Sequence, residues 1–209
     1  QNYDSNPAVI AQAYMEAKVA AIQAGLEVLD WQGDTGGSDL YDGFLTIIDA
    51  ASGVIDGNTG AITVATGITE ANVYDIFKGI IKATPVEIKS KPDFRIFCGQ
   101  DVFDTLVFGL IGTNNFNFST GGGLASDNYS LKFPATNIMV EGVGGLNGTD
   151  RIIASRTSNM FLGCDLESED EEMKVWYSED NDVVKHSVRW RRGTQVAYPS
   201  EIVEFTLVP

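Results

Sequence analysis

Few residue types in this chain have side chains typical of catalysis, and its only histidine is His186. An imidazole can act as a general base or as a pH switch. A serine triad would have to use His186, but the chain contains no Gly-x-Ser-x-Gly elbow. The residue is predicted on an apolar strand face beside Val188 and Trp190, which is typical of a structural histidine. The sequence therefore predicts no catalytic residue.

Carboxylates are plentiful, at 29 aspartates and glutamates, and could serve a glycosidase or bind a cation. No pair stands alone beside aromatic residues that would raise one pKa, as glycoside hydrolysis requires. The acidic run 167–172 lacks the spaced ligands and central glycine of a calcium loop. Two cysteines, Cys98 and Cys164, cannot form a zinc site without histidines, and their apolar contexts predict buried free thiols. We expect no metal and no cofactor.

The two glycine-rich segments, 121–123 and 142–145, are the remaining candidates for a ligand site. Neither opens a helix with a Lys-Ser/Thr pair, so neither is predicted to cradle a phosphate. The net charge of −15 argues against sequence-specific nucleic-acid binding, because such proteins are usually basic. No apolar run approaches the roughly 20 residues that span a bilayer, and no signal peptide is present, so we expect no membrane partner.

The N-terminal element that must support any site is predicted to be a long helix. Asn6 and Pro7 are typical of an N-cap and first turn, and 7–29 hold apolar residues and many alanines at helical spacing. Residues 31–39, rich in Gly and Asp, predict a flexible loop and a domain boundary. The chain starts with Gln1 instead of Met, from which we expect a processed product or an excised piece.

Residues 40–160 predict a mixed sheet flanked by helices. The segment 113–128, rich in Asn, Gly and Ser, predicts a long irregular loop of the kind that is mobile or functional. The other predicted elements of this region are a short helix at 41–51, a turn at 56–60, a strand at 61–65, a helix capped by Thr69 and ended by Pro85, a buried strand at 94–98, a helix from Gln100, and strands at 137–141 and 151–155.

The C-terminal 49 residues, 161–209, predict a long ribbon of strands. Residues 174–177 and 183–190 alternate as two strands of a hairpin around an acidic turn. Gly193 is expected to interrupt the ribbon, 194–198 to resume it, and 202–208 to add a further strand. The hairpin carries charge of both signs, with five acids in 167–172 and four cations on its return strand, Lys185, Arg189, Arg191 and Arg192.

These elements predict an α+β fold in two lobes. One lobe is the central mixed sheet of 40–160 with its flanking helices. The other is discontinuous, built from 1–39 and 161–209, in which the long N-terminal helix packs on the long β-hairpin. A chain of 209 residues is long enough for this arrangement.

The order of short motifs in the last third resembles the major capsid proteins of tailed bacteriophages and prophages, which share the HK97-like fold. The motifs are RIIAS at 151–155, NMFLG at 159–163, DL at 165–166 before the acidic run, KVWY at 174–177 and GTQVAYP at 193–199. The resemblance implies that 40–160 is similar to the axial domain, the helix at 7–29 to the spine helix of the peripheral domain, and the ribbon from Lys174 to its long strands. The family also has an N-terminal arm and an extended loop before the spine helix, which this chain would lack.

The resemblance implies a structural, non-enzymatic function. A tailed phage or prophage subunit of this kind self-assembles into hexamers and pentamers of an icosahedral shell that encloses DNA, with scaffold and maturation protease as further partners. It is made in the bacterial cytoplasm and ends in the virion. The basic strand of one copy would meet an acidic run such as 167–172 of the next, and 113–123 would be the axial loop.

Two other functions remain open from the residues. A secreted or surface ligand-binding module, for example for glycans, would also be acidic and lack motifs, and it predicts a groove with exposed aromatic residues. A small hydrolase using scattered carboxylates predicts a concave pocket with one perturbed acid.

Overall fold

The structure is a computed structural model that describes residues 7–37, 39–112, 129–134, 136–164, 174–178, 183–187 and 191–209. Side chains are described for these residues except 7–13, 174–178 and 183–187. Its helices are α1 (Pro7–Gln32), α2 (Phe44–Ala50), α3 (Val73–Ala83), α4 (Val86–Lys89) and α5 (Gln100–Gly112). Its strands are β1 (Ile55–Asp56), β2 (Phe94–Gly99), β3 (Ser130–Lys132), β4 (Met139–Val143), β5 (Ile152–Arg156), β6 (Met160–Cys164), β7 (Lys174–Ser178), β8 (Val183–Ser187), β9 (Arg192–Val196) and β10 (Val203–Phe205).

A six-stranded mixed sheet forms the centre of the fold, in the order β1-β10-β5-β2-β4-β3. The β1–β10 and β2–β4 pairs are parallel, and the other pairs are antiparallel. Strand β2 lies in the interior, where Ile96 is paired with Val140 on one side and with Ala154 on the other. Two further two-stranded sheets, β6–β9 and β7–β8, lie outside this sheet.

The central sheet is covered by apolar residues on both faces, because side chains alternate between the faces of a strand. Ile96 and Cys98 of β2 lie in the cluster formed with α3 and α5, whereas Phe97 between them lies in a second cluster with α2. The second cluster also contains Trp31 from the end of α1, whose ring centroid is 5.3 Å from that of Phe44 and 5.6 Å from that of Phe97. The sheet is therefore a buried central layer between two sets of helices.

The structure confirms most of the predicted elements. The long first helix, the short helix near 41–51, the buried strand at 94–98 and the helix from Gln100 are all present. Strands β4 and β5 lie within two residues of their predicted positions. The hairpin is also present, with Tyr177 of β7 opposite Val184 of β8. Helix α3 begins at Val73, four residues after the predicted cap Thr69, because 69–72 form a turn.

The prediction of a flexible loop at 31–39 is wrong at its start. Trp31 and Gln32 belong to α1, and Trp31 is buried. The glycines here permit close contact: the N–H of Gly43 donates to the carbonyl of Gly33 at 2.8 Å, and a Cβ at Gly33 would lie 2.5 Å from the carbonyl oxygen of Tyr41.

Two predicted strands also differ from the structure. Residues 61–65 form only an isolated bridge between Thr63 and Val208, because Ala61 has a φ of 49°, which a strand cannot accommodate. Gly193 does not interrupt the ribbon, since it lies within β9, directly opposite Gly163 of β6. The last predicted ribbon strand, 202–208, instead contributes β10 to the central sheet between β1 and β5.

Cys98 is buried as predicted, whereas Cys164 is exposed, which corrects the expectation of a second buried thiol.

Candidate functional site

In the part of the chain that the structure describes, no group of three or more His, Cys, Asp or Glu side chains could hold a metal ion. A cavity of about 170 Å³ lies between the turn at 57–60 and α3. Its buried polar side chain, Asn58, is fully occupied by the backbone, since its amide donates to the carbonyls of Ile62 and Thr206 and accepts from the N–H of Ile62. The side chain of Asn58 is therefore not available to a ligand in this cavity. In these described ranges, no helix is long and apolar enough to cross a bilayer.

A largely buried charged contact joins the end of α1 to β9. Asp30 accepts two hydrogen bonds from the guanidinium of Arg192, at 2.8 Å from Nε and 2.6 Å from Nη2. It also accepts one from the hydroxyl of Tyr41 at 2.6 Å. Burial, and then the hydrogen bond to Asp30, raise the pKa of Tyr41 well above its ordinary value. The end of α1, the segment that follows it and the distant strand β9 are thus held together at one carboxylate, which we call the Asp30 junction.

A second attachment of α1 uses the glycines at 144–145. The N–H of Gly145 donates to the carboxylate of Glu27 at 3.1 Å, and the amide of Gln32 donates to the carbonyl of Gly145 at 2.6 Å. A Cβ at Gly145 would lie 2.5 Å from the carbonyl oxygen of Glu27 and would also strike the Trp31 ring. These glycines therefore serve the packing of α1 against the core.

Two arginine clamps lie at the ends of β5. Before its first residue, Arg151 donates to both carboxylate oxygens of Asp49, at 2.9 and 2.5 Å, and also to Glu204. Burial raises the pKa of Glu204, although the hydrogen bonds from Arg151 act in the opposite direction. This clamp therefore ties α2 to β10.

At the other end of β5, Arg156 contacts Asp93 at 3.2 Å and Glu201 at 3.4 Å. The hydroxyl of Ser158 donates to Asp93 at 2.6 Å. This hydrogen bond, with the guanidinium of Arg156, lowers the pKa of Asp93 to about 2. Both clamps stabilise one arrangement of the core, because each arginine joins carboxylates from separate elements.

Large apolar side chains are exposed on α1 and on β6, among other elements. On α1, Tyr14, Val19 and Val28 are 48, 41 and 44% exposed. On β6, Phe161 and Leu162 are 53 and 45% exposed. Neighbouring side chains in an antiparallel strand point to opposite faces, so β6 presents apolar surface on both faces. Phe161 and Leu162 are adjacent, and contiguous exposed apolar surface is typical of protein–protein contact.

The four cations of the predicted basic strand were expected to contact an acidic run of a neighbouring copy, but the structure does not show all four as available for such a contact. Arg192 is bound to Asp30 of its own chain, and Arg191 also has an interaction partner. Lys185 lies in β8, whereas Arg189 and the acidic run 167–172 lie outside the described residues. His186 is opposite Val175 in the hairpin register, and its side chain lies beyond the described part. The predicted loop at 113–128 is also outside.

Sequence reasoning missed Asp30, Tyr41 and Gly145. Asp30 and Tyr41 flank the predicted domain boundary at 31–39, where contacts between distant segments can be expected. Nothing in the sequence, however, identifies Arg192 as their partner.

Comparison with known proteins gives matches at the level of structure only. No family model matches the sequence, and no curated protein does. The fold is similar to a chain of the capsid of an empty GTA particle, with a TM-score of 0.57, 15% identity, and coverage of 97% of this chain and 74% of that one. It is also similar to a chain in the procapsid of satellite phage P4, a structure that includes the size determination (Sid) protein. For this second match the TM-score is 0.53 and the sequence identity is 11%, and the aligned region covers 99% of this chain and 65% of the P4 procapsid chain. The predicted fold class, a mixed α+β fold of the kind found in phage capsids, is confirmed.

Proposed function

We propose that this chain is the major capsid subunit of a tailed phage or prophage. The observation that carries the proposal is that 97 and 99% of the chain match chains from two capsid structures in fold. A match over so much of the chain includes α1 and the ribbon strands as well as the central sheet. The role is structural and not enzymatic.

The distribution of rigid and exposed surface supports assembly into rings. The Asp30 junction and the clamps on β5 hold the core in one arrangement, so that each copy presents its contacts in the same orientation. The apolar residues of α1 and β6 supply surface for neighbouring copies. Head-to-tail contacts between unlike surfaces generate closed rings when the rotation is correct. Hexamers and pentamers of an icosahedral shell enclosing DNA follow from such contacts.

The parts of the subunit are assigned within this proposal. Residues 40–160, with β10 added to their sheet, form the axial-like unit, and 1–39 with the ribbon of 161–209 form the peripheral-like unit. The segment 113–123 is the axial loop at the ring centre, and its deletion should impair ring formation while the core stays folded. Scaffold and a maturation protease are the further partners, the subunit is made in the bacterial cytoplasm, and it ends in the virion.

The test is electron microscopy of the product of the complete reading frame, expressed with the adjacent scaffold and protease genes. Uniform closed shells are the expected result. Dispersed monomers, under conditions where circular dichroism shows a folded protein, would reject the proposal. No finding favours the glycan-binding alternative, which would then be examined by ligand screening.

A further inference from the structure

A locally basic surface lies where α3 is followed by α4. Residues 78–91 contain four lysines and one glutamate, which gives this segment a net charge of +3. The whole chain has a net charge of −15, so the remaining residues together have a net charge of −18. Only Thr84 and Pro85 separate the two helices, so Lys78, Lys82 and Lys89 lie in one helix–turn–helix corner, and Lys91 follows two residues after the end of α4. This concentration of positive charge contrasts with an otherwise strongly acidic chain.

The lysines of this corner are available to a partner. Lys82 and Lys91 are exposed and Lys89 is partly exposed, and none of the three makes an ion pair with any residue in the described ranges. Lys78 is half exposed and lies 3.6 Å from Asp75 of its own helix, a surface pair of little energetic value. At the centre of the corner, Val86 is 66% exposed.

We propose that this surface, formed by Lys78, Lys82, Val86, Lys89 and Lys91 and called here the lysine corner, binds the acidic run 167–172 of a second copy. The run contains five carboxylates in six residues. The contact rests on the proposed capsid function, because many copies must lie side by side for it to form.

Three observations favour this occupant. Two of the four cations that the sequence placed opposite the acidic run have partners, since Arg192 is bound to Asp30 of its own chain and Arg191 also has an interaction partner. In contrast, Lys82, Lys89 and Lys91 make no ion pair with any residue in the described ranges. The charges of the corner and the run are opposite and lie on one chain, so the contact is head-to-tail, as ring closure requires. Complementary charge of this kind sets register and excludes wrong neighbours. A nucleic acid is disfavoured because the surrounding chain is strongly negative.

Helix C-termini also attract lysines in isolated proteins, since the helix dipole favours positive charge there. Lys82 and Lys89 are in the last turns of α3 and α4. A purely structural role predicts that replacing them lowers thermal stability and leaves binding of acidic peptide unchanged.

The first experiment measures binding of a labelled synthetic peptide of residues 163–174 to the folded chain by fluorescence anisotropy. We expect the double variant Lys82→Glu, Lys89→Glu to bind about five- to tenfold more weakly, from about 0.2–1 kcal/mol per lost exposed pair plus the added repulsion. The matched control Lys18→Glu, Lys132→Glu makes the same charge change at exposed lysines elsewhere and should bind within about twofold of wild type. Binding should weaken as salt rises from about 0.05 to about 0.5 M.

Variants with glutamine at positions 82 and 89 separate charge from folding, because they keep helix propensity and remove repulsion. They should show a smaller loss of binding at unchanged circular dichroism. A peptide that fails to bind wild type, or that binds all variants equally, would overturn the proposal. Binding of a short labelled DNA duplex in place of the peptide would also overturn it and assign the corner to nucleic acid.

The second experiment uses shell assembly of the complete reading frame. Lys82→Glu, Lys89→Glu should reduce shell yield, and reversing two acids of the run in the same chain, Glu169→Lys and Glu171→Lys, should restore it. Unchanged yield in the first variant would overturn the lysine-corner contact while leaving the capsid function intact. Absence of shells from wild type, together with peptide binding, would reject the capsid function and retain the contact.

Discussion

Replacing Asp30 with alanine should destabilise the fold more than any other single carboxylate change at the surface of α1 or α5. The side chain is 10% exposed and accepts hydrogen bonds from Arg192 and Tyr41. Removal of the carboxylate leaves the guanidinium of Arg192 and the hydroxyl of Tyr41 without this acceptor in a partly buried position. Because Arg192 belongs to β9, its contact with Asp30 attaches β9 to the end of α1.

The magnitude follows from burial. Breaking a buried ion pair by removing one partner costs about 3–5 kcal/mol. The side chain of Arg192 is 22% exposed, so water can reach part of the guanidinium and reduce this cost. We expect Asp30→Ala to lower the free energy of unfolding by about 2–4 kcal/mol. For a protein of this size this corresponds to a fall in Tm of roughly 4–16 °C.

The assay is urea denaturation at pH 7 of wild type, Asp30→Ala, Arg192→Met and the double variant. A double-mutant cycle should give a coupling energy of about 1.5–3 kcal/mol between the two residues. Asp104→Ala, at an exposed position of α5, is the matched control and should change the unfolding free energy by less than about 0.5 kcal/mol. A coupling energy below about 0.5 kcal/mol would refute the view that this contact holds β9 to α1.

Further predictions concern packing and titration. Gly145→Ala should lower the free energy of unfolding by about 1–3 kcal/mol, because the added Cβ would clash with α1. Gly25→Ala should raise it by up to about 1 kcal/mol, because the added Cβ meets no other atom and alanine favours a helix. Urea denaturation of both variants measures these changes. Ser158→Ala should raise the pKa of Asp93 from about 2 towards its ordinary value in an NMR titration. Since the folded-state pKa of Asp93 is depressed, its stabilising contribution is lost as pH falls from about 4 to about 2, and an unchanged pKa would contradict the assigned hydrogen bond. Because the folded-state pKa of Tyr41 is raised, stability should fall as pH rises above about 10; a Tyr41→Phe variant with the same alkaline slope would disprove this.

Local patterns predicted the elements whose neighbours in sequence determine them. Helix α1 follows from a long run of helix-forming residues in which Gly25 is the only glycine. Strand β2 follows from five consecutive residues, four of which belong to the core, Phe94, Ile96, Phe97 and Cys98. The hairpin β7–β8 follows from two alternating runs around a turn. In each case the information lies within about 25 residues.

Long-range pairing accounts for the differences. Gly193 reads as a strand breaker, yet a partner strand 30 residues earlier supplies its register through Gly163. Strand β10 joins β1, although Ile55 and Val203 are 148 residues apart. Cys164 lies in an apolar sequence context, but β6 is in a two-stranded sheet outside the central one, which leaves the thiol exposed.

The charged contacts were equally inaccessible to sequence reasoning. The chain has 29 acids and 14 cations, and nothing local says that Arg192 is bound to Asp30. The fold brought these residues together and removed Arg192 from the predicted basic strand. The same information directs attention to the lysine corner, where the cations have no carboxylate partner among the described ion pairs except at Lys78.

The position of β10 sets the order in which a newly made chain can mature. Strand β1 pairs with β10, and β10 in turn pairs with β5. The central sheet cannot close until residue 205 has emerged from the ribosome, by which time the other five strands of this sheet have been synthesised. Until then, Ile55 and Ile152 lack the neighbour that buries them. A nascent chain therefore cannot present a finished subunit to its neighbours, and association is confined to polypeptides whose synthesis has passed this strand.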